Sequence, residues 1–423
     1  MAFLLAADWG IRYERAMNLR GVQIFLLAAC CVVATQAHAQ IDPEKRKLVQ
    51  VGYNLPFEGH GPVAAYAYLY WNEPDFPRTN QTLRLAVAPI YVDGELGFRH
   101  LLGENTDFAV GLAGGGFADS YNEIHGGVFR ENESFTGHGG EVSASLYHRL
   151  NPRQEIPLNF ILRGAARYSI YETDDKTDPT FRLPDDRATF AVRTGLRWGG
   201  REPLLMPKLA MEVSVWYEGQ FRTGDGRYGF AGDREVQTDS HLFWGRALLN
   251  YTFPELKHHL EFSLTAGVSA DADRFSAYRL GALLPLASEF PLALPGYYFQ
   301  EISASRFALL GGQYLVPLGA SKSWSLSLFG STAVVDYLPG LGQPGNWHSG
   351  LGGGVAYQSS SGIWQISLGY AHGFSAIRDG GRGANTVGVA MQFDLERQLK
   401  RGPLFDPARL LDRLHGLERI FSR

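Results

Sequence analysis

The segment from residue 156 to residue 171, IPLNFILRGAARYSIY, alternates apolar and polar side chains along most of its length. Asn159, Arg163, Arg167 and Ser169 fall on one parity, and most of the apolar residues fall on the other. Successive side chains of a β-strand point to opposite faces, so this pattern predicts a strand with one apolar and one charged face. Such a strand separates an apolar medium from a polar interior.

The same period-two pattern recurs along most of the chain and predicts a long series of strands. Several of them place arginine or glutamate opposite aromatic residues, which soluble sheets rarely do. Pro56, Gly61, Pro89 and Gly94 interrupt the first four, so fourteen strands is the alternative to sixteen. The sixteen predicted strands are 47–56, 62–73, 81–91, 94–102, 105–120, 138–150, 156–171, 187–199, 207–221, 239–253, 257–270, 302–318, 323–337, 347–358, 362–375 and 385–395.

The predicted connections alternate between long polar segments and short turns, as in bacterial outer-membrane barrels. In hydrocarbon every backbone N–H and C=O group must be paired within the protein, so half-polar strands can span a bilayer only as a closed cylinder. The sequence therefore predicts an all-β protein, a transmembrane antiparallel barrel of about sixteen strands. The long segments are 121–137, 172–186, 222–238, 271–301, 338–346 and 376–384.

The N-terminus predicts export to the bacterial outer membrane. Residues 1–39 have the charged start, apolar core and small-residue cleavage site of a secretory signal, and Met17 is a candidate for the true initiator. Cys30 offers an alternative reading as a lipoprotein acylation site. Residues 40–46 would then be a short periplasmic stub, followed by the barrel at 47–395.

Charged residues on the polar faces of three successive predicted strands are expected to line the lumen. One interpretation is a selectivity or substrate-binding patch, and the other is a ladder of cross-strand ion pairs that fills the lumen. The residues are Arg163, Arg167, Arg193, Arg197, Glu212 and Glu218.

Residues 239–395 resemble the bacterial surface-antigen barrel family, the BamA/TamA type. The segments that carry the resemblance are Arg279–Gly281, Leu294–Tyr298, Ser305–Leu310, Gln313–Leu318, Val334–Tyr337, Gly350–Tyr357 and Ile363–Tyr370. The resemblance implies a sixteen-stranded barrel with a long sixth loop, whose tip contacts the lumen through Gly296 and Tyr297 near Asp336. It also implies a role in inserting or translocating polypeptides, and the expected function is transport or assembly of protein or lipid at the outer membrane.

The chain departs from the family pattern in two places. Pro295 replaces the arginine of the family's loop-tip motif, which leaves Asp336 without the partner that the family provides. The stub at 40–46 is too short for the family's periplasmic POTRA modules, so the barrel domain alone is expected. Because those modules handle client polypeptides in the family, the departure weakens the implied function.

The segment 396–423 predicts a periplasmic amphipathic tail. Asp406–Pro407 would open a short helix with an apolar stripe that includes Leu410, Leu414 and Leu417. This helix could lie on the inner leaflet, plug the barrel mouth, bind a periplasmic partner or pack on the barrel's own turns. Phe393 would be the terminal aromatic that the barrel-assembly machinery reads during insertion.

The composition and the motifs exclude other functions. The 39 Lys and Arg residues do not exceed the 43 Asp and Glu residues, so nucleic acid is not an expected partner. No catalytic residue, metal ligand set or cofactor is predicted, since the sequence has neither a nucleophile elbow nor metal-ligand spacing. The expected partners are outer-membrane lipids, the assembly machinery and a periplasmic partner for the tail. A passive porin and a barrel-embedded lipid hydrolase are the alternative functions.

Overall fold

The computed structural model describes residues 44–207, 209–282 and 289–401, which contain a closed antiparallel barrel. The predicted signal at 1–39, most of the stub and the tail at 402–423 lie outside the described residues. The barrel has sixteen strands, β1 to β16. Their bounds are Arg46–Pro56, Ala64–Pro74, Gln81–Val87, Tyr91–Phe98, Thr106–Gly115, Val128–Arg149, Leu158–Glu172, Arg187–Gly200, Leu209–Arg222, Asp239–Thr252, His259–Ala270, Ile302–Leu318, Trp324–Tyr337, Trp347–Gln358, Trp364–Arg378 and Gly381–Asp394.

The barrel closes where the last strand meets the first. β16 pairs with β1 from Leu48↔Asp394 to Pro56↔Thr386, and every other strand pairs with its neighbour in the chain. Closure leaves no unpaired sheet edge, which is the condition for spanning hydrocarbon with strands. The predicted fold class and the count of sixteen strands are therefore confirmed, and the count of fourteen is wrong.

The outer face of the barrel is apolar. Val215 is 56% exposed although its chain neighbours Ser214 and Trp216 are buried, and the same alternation occurs in other strands. Exposed apolar surface on this scale marks contact with a membrane. No helix among the described residues is long and apolar enough to cross a membrane. The closed sheet and its apolar outer face indicate a barrel that spans the bacterial outer membrane with strands, and we assign its long loops to the outside and its short turns to the periplasm.

Replacing Val215 with arginine should destabilise the barrel, because the charge would enter the lipid-facing middle of β9. The expected loss of unfolding free energy is about 2–4 kcal/mol at the bilayer midplane. Urea titration in lipid vesicles measures this quantity. The control is the same change at Val63, which is 83% exposed and lies outside the strands between β1 and β2. Equal effects at the two positions would contradict the membrane assignment.

Three loop predictions differ from the structure. The predicted long loop at 376–384 is a tight hairpin turn, because Asp379 and Gly380 both have positive φ, at 48° and 78°, as a type I′ turn requires. The predicted loops at 121–137 and 222–238 contain short paired strands, Tyr121–His125 against the start of β6 and Gly226–Tyr228 against Arg234–Val236. The predicted short C-terminal helix is present as Leu395–Arg401, directly after β16, and the position predicted for it, from Asp406 onward, lies outside the described residues.

Candidate functional site in the barrel lumen

The described parts of the sixth loop, 271–282 and 289–301, fold into the barrel. Their residues Leu280, Leu294 and Tyr297 are fully buried and pack with wall residues such as Phe307 and Val335. A loop directed outward would leave these side chains in water, and burying each of them is worth about 1.5–3 kcal/mol. The apolar content of the loop therefore favours the folded-in position. We call this cluster the lumen core.

The tip of the sixth loop, Pro295–Tyr297, sits on two glycines of the wall. A Cβ atom added to Gly296 would lie 2.0 Å from the backbone nitrogen of Gly373 in β15, and one added to Gly350 in β14 would lie 2.1 Å from the carbonyl oxygen of Pro295. Gly296 also has a φ of 86°, which L side chains rarely adopt. Loop and wall thus approach backbone to backbone, and only glycine fits at either position.

Tyr297 holds the tip through a chain of polar contacts. Its hydroxyl lies 3.1 Å from Nδ1 of His348, and Nε2 of His348 lies 2.5 Å from the hydroxyl of Tyr337. His348 is 1% exposed. Because both ring nitrogens have partners, this buried imidazole needs no water to satisfy it. Tyr297 therefore joins the sixth loop to both β13 and β14.

Asp336 does not take part in this contact. Its neighbour Val335 belongs to the lumen core, whereas Asp336 is on the exposed face of β13, in register with Arg306 of β12. Strand alternation explains the difference, since adjacent residues point to opposite faces. The structure therefore brings Gly296 and Tyr297 together on the inner wall and does not bring Asp336 to them. The sequence predicted that Asp336 lies near the loop tip, and in the structure His348 makes this contact with Tyr297 instead.

A buried ion pair fixes the base of the sixth loop. The guanidinium of Arg378, at the end of β15, donates to both carboxylate oxygens of Glu301 at 3.0 and 2.8 Å, and the two side chains are 2% and 0% exposed. The ring of Tyr298 stacks on the guanidinium with 3.5 Å to the ring centroid. The wall thus supplies the cation and the loop supplies the carboxylate and the aromatic ring. We call this group the loop clamp.

The six predicted lumen charges all lie on the inner face, and each has an oppositely charged partner. Most partners are cross-strand neighbours, which is the geometry of an ion-pair ladder. The sequence reasoning missed four of these partners, Glu141, Asp119, Arg246 and Glu289. The pairs are Arg163–Glu141 at 2.7 Å, Arg167–Asp119 at 3.0 Å, Arg193–Glu218 at 2.7 Å, Glu212–Arg246 at 2.7 Å and the short contact Arg197–Glu289. A role in selectivity stays a prediction.

The outer loops pack over the extracellular mouth and form what we call the cap. Its aromatic centre comes from separate loops and consists of Tyr121, Phe135, Phe181 and Tyr228 with Phe275 of the sixth loop. Glu123, in the same hairpin as Tyr121, ties the loops together, because Arg274 lies 3.1 Å and Arg234 lies 3.6 Å from its carboxylate. His125 and Glu133 bring further potential metal ligands within 4.8 Å of Glu123, but the two arginines already neutralise these carboxylates.

The cap should remain docked in mild acid. Burial alone would raise the pKa of Glu123, but the hydrogen bond with His125 and the charges of Arg274 and Arg234 outweigh it and lower the pKa to about 2. A carboxyl group with a lowered folded pKa stabilises the cap above its ordinary pKa of 4.5 and loses this effect as the pH falls through 2. A fluorophore on Val128→Cys, at the tip of the same hairpin, would report cap release.

The expected midpoint of cap release lies well below pH 4. Adding Glu123→Gln should remove the pH dependence and loosen the cap at neutral pH, since the arginines lose their counter-charge. A midpoint between pH 4 and 5 in the unmutated cap would contradict the assignment.

Comparison with solved structures identifies the fold. CdiB from Acinetobacter baumannii aligns with a TM-score of 0.54 at 9% identity over 83% of this chain and 60% of that one. CdiB from Escherichia coli gives 0.53 at 11% identity over 83% and 63%. BamA from Haemophilus ducreyi lacking POTRA domains 1–3 gives 0.52 at 11% identity over 82% and 70%. No family model and no curated protein matches the sequence.

The barrel therefore has the fold of the CdiB and BamA barrels, as the sequence resemblance predicted. The chain spans 60% to 70% of the length of these solved proteins. No POTRA-like module is present among residues 44–401 apart from the short gaps at 208 and 283–288. At such low identity the comparison establishes the fold, and function has to be argued from the site.

Proposed function

We propose that this protein inserts polypeptides into the outer membrane or translocates them across it. In this proposal, the barrel with the sixth loop seated in its lumen is the closed resting state. The surface-antigen fold supports the proposal, because the family resemblance implies this activity. The observation that carries it is the sixth loop, seated on the inner wall by Gly296 and the loop clamp. A detachable loop that fills the lumen suits a barrel that opens only for a client.

A passive porin is less well supported. A porin needs a continuous aqueous path, whereas the lumen core fills the space beside β12 and β13 with side chains that have no solvent exposure, including Leu280, Leu294 and Ile302. The cap covers the extracellular mouth above it. Removing these contacts would cost several kcal/mol, so steady conductance is not expected from the resting barrel.

Reconstitution tests the proposal. Vesicles that contain this protein should accelerate the folding of a urea-denatured outer-membrane barrel, followed by its heat-modifiable migration in gels. Vesicles that contain Gly296→Ala, in which the tip cannot seat, should lose the resting closure and show channel openings in planar bilayers. A steady open level from the unmutated protein, with no acceleration of client folding, would favour the porin.

The partners follow from the proposed function. Outer-membrane lipids would contact the apolar outer face. The barrel-assembly machinery would insert the chain by reading the end of β16, where Phe393 packs against Trp364 on the outer face with 4.4 Å between ring centroids. The tail at 396–423 would bind a periplasmic partner, which stays a prediction because most of it lies outside the described residues.

A further inference from the structure

The periplasmic turn between β8 and β9 crosses the lumen. Residues 201–207, which we call the strap, hydrogen-bond to strands β1, β15 and β16. In a ring of sixteen strands, the β8–β9 connection lies half-way round from the closure between β16 and β1. A hairpin turn needs only two to five residues and would normally stay at its own rim. The strap therefore extends to the opposite wall, where hydrogen bonds with β1, β15 and β16 hold it.

Three glutamines form the part of the wall that holds the strap. Gln50 is in register with Gln392, and Gln392 is in register with Gln365, so they form one row across β1, β16 and β15. Their side chains are 1%, 1% and 3% exposed. The amide of Gln50 donates to Gln392 at 2.8 Å, and that of Gln392 donates to Gln365 at 3.4 Å. We call this group the glutamine row.

The glutamine row binds the backbone of the strap. The amide nitrogen of Gln50 donates to the carbonyl oxygen of Pro203 at 3.2 Å. The backbone N–H groups of Leu205 and Met206 donate to the side-chain oxygens of Gln392 and Gln365, each at 3.0 Å. An amide side chain offers both a donor and an acceptor, which matches the two backbone groups that every residue except proline presents. Hydrogen bonds to backbone groups do not depend on which side chains the bound segment carries.

The inner face of β1 has further unused capacity. Asn54 lies four residues beyond Gln50 on the same face, is 2% exposed, and has no hydrogen-bond partner for its side-chain oxygen or nitrogen among the described residues. A buried amide without partners costs about 1–3 kcal/mol. Asn54 is therefore a second buried amide on this face of β1 whose partners the described residues do not provide.

We infer that the glutamine row is a binding site for the backbone of an extended polypeptide that enters from the periplasm, and that the strap occupies this site in the resting barrel. The inference rests on the proposed function, since it names where a client first binds. A client would displace the strap by making the same backbone hydrogen bonds next to the closure of the barrel.

The test uses a barrel in which residues 202–206 are replaced by Gly-Asn, together with a fluorescent peptide that has the strap sequence REPLLMP. The peptide should bind the shortened barrel saturably and the intact barrel at least about tenfold more weakly. A peptide with N-methyl groups at the positions of Leu205 and Met206 should also bind about tenfold more weakly, since it lacks two hydrogen bonds. The change Gln392→Leu in the shortened barrel should have the same effect.

The matched control is Gln313→Leu, which removes a wall glutamine of β12 that bonds Ser327 instead of the strap. Heat-modifiable migration checks that each barrel folds. If the shortened barrel does not fold, Leu205→Pro keeps the strap's length, removes one donor and should still raise peptide binding. Equal binding of the plain and methylated peptides would overturn the inference.

The two proposals can fail separately. If the Gln392→Leu barrel accelerates client folding normally, the glutamine row is not needed for this activity. The inference about the binding site then fails and the proposed function stands. Peptide binding as expected in a barrel that never accelerates client folding would leave the site intact and remove the function.

Discussion

Replacing Gly296 with alanine is expected to unseat the sixth loop from the barrel wall. The new methyl group would lie 2.0 Å from the nitrogen and 2.5 Å from the Cα atom of Gly373, and neither backbone atom can move without breaking the pairing of β15. The residue also has a φ of 86°, so alanine adds backbone strain. Overpacking and strain together should cost about 2–4 kcal/mol in the seated state.

The measurement is trypsin cleavage of the sixth loop at Arg274 and Arg279 in intact vesicles, and a cost of this size predicts a rate increase of about thirtyfold or more. Gly350→Ala should produce the same result from the wall side, because its methyl group would lie 2.1 Å from the carbonyl oxygen of Pro295. The control is Gly342→Ala in the loop after β13, where a methyl group meets nothing within 4 Å. Unchanged cleavage in both seat variants would show that the loop does not depend on the glycines.

The barrel could be predicted because its signal is local and repeated. Alternation along residues 156–171 fixes which face of β7 meets lipid, and Arg163 and Arg167 do lie on the inner face. The same rule could have placed Asp336 correctly, since it follows Val335 in a strand whose odd positions face the lumen there. The family resemblance suggested that Asp336 faces the lumen, whereas the alternation of the strand places it on the exposed face.

The candidate site could be predicted only in part, because its contacts join residues that are distant in the chain. His348 meets Tyr297 across 51 residues, and Gln392 meets the strap across 187. No periodic pattern relates such positions. The tight turn at Asp379–Gly380 is different, since an Asp-Gly pair between two alternating runs is a strong hairpin signal that the polar composition of 376–384 obscured.

Replacing Arg378 with methionine should destabilise the barrel strongly, because it leaves the carboxylate of Glu301 buried without its counter-charge. Removing one member of a buried ion pair typically costs about 3–5 kcal/mol. The loss of the stacking contact with Tyr298 adds to this effect. Urea titration in vesicles measures the unfolding free energy, and trypsin cleavage of the sixth loop measures its release. The control is Arg382→Met, four residues away at an exposed position in β16.

A double-mutant cycle separates the loop clamp from a general packing effect. Glu301→Met should lower the unfolding free energy as much as Arg378→Met does, because it leaves the buried guanidinium of Arg378 without its counter-charge. The double variant should recover much of the loss, because two methionines bury no charge and preserve most of the volume. Additive losses would mean that the two side chains act independently, and the loop clamp would then not be what holds the sixth loop. Strong coupling together with easier loop release would identify this buried pair as the contact that holds the sixth loop against the wall.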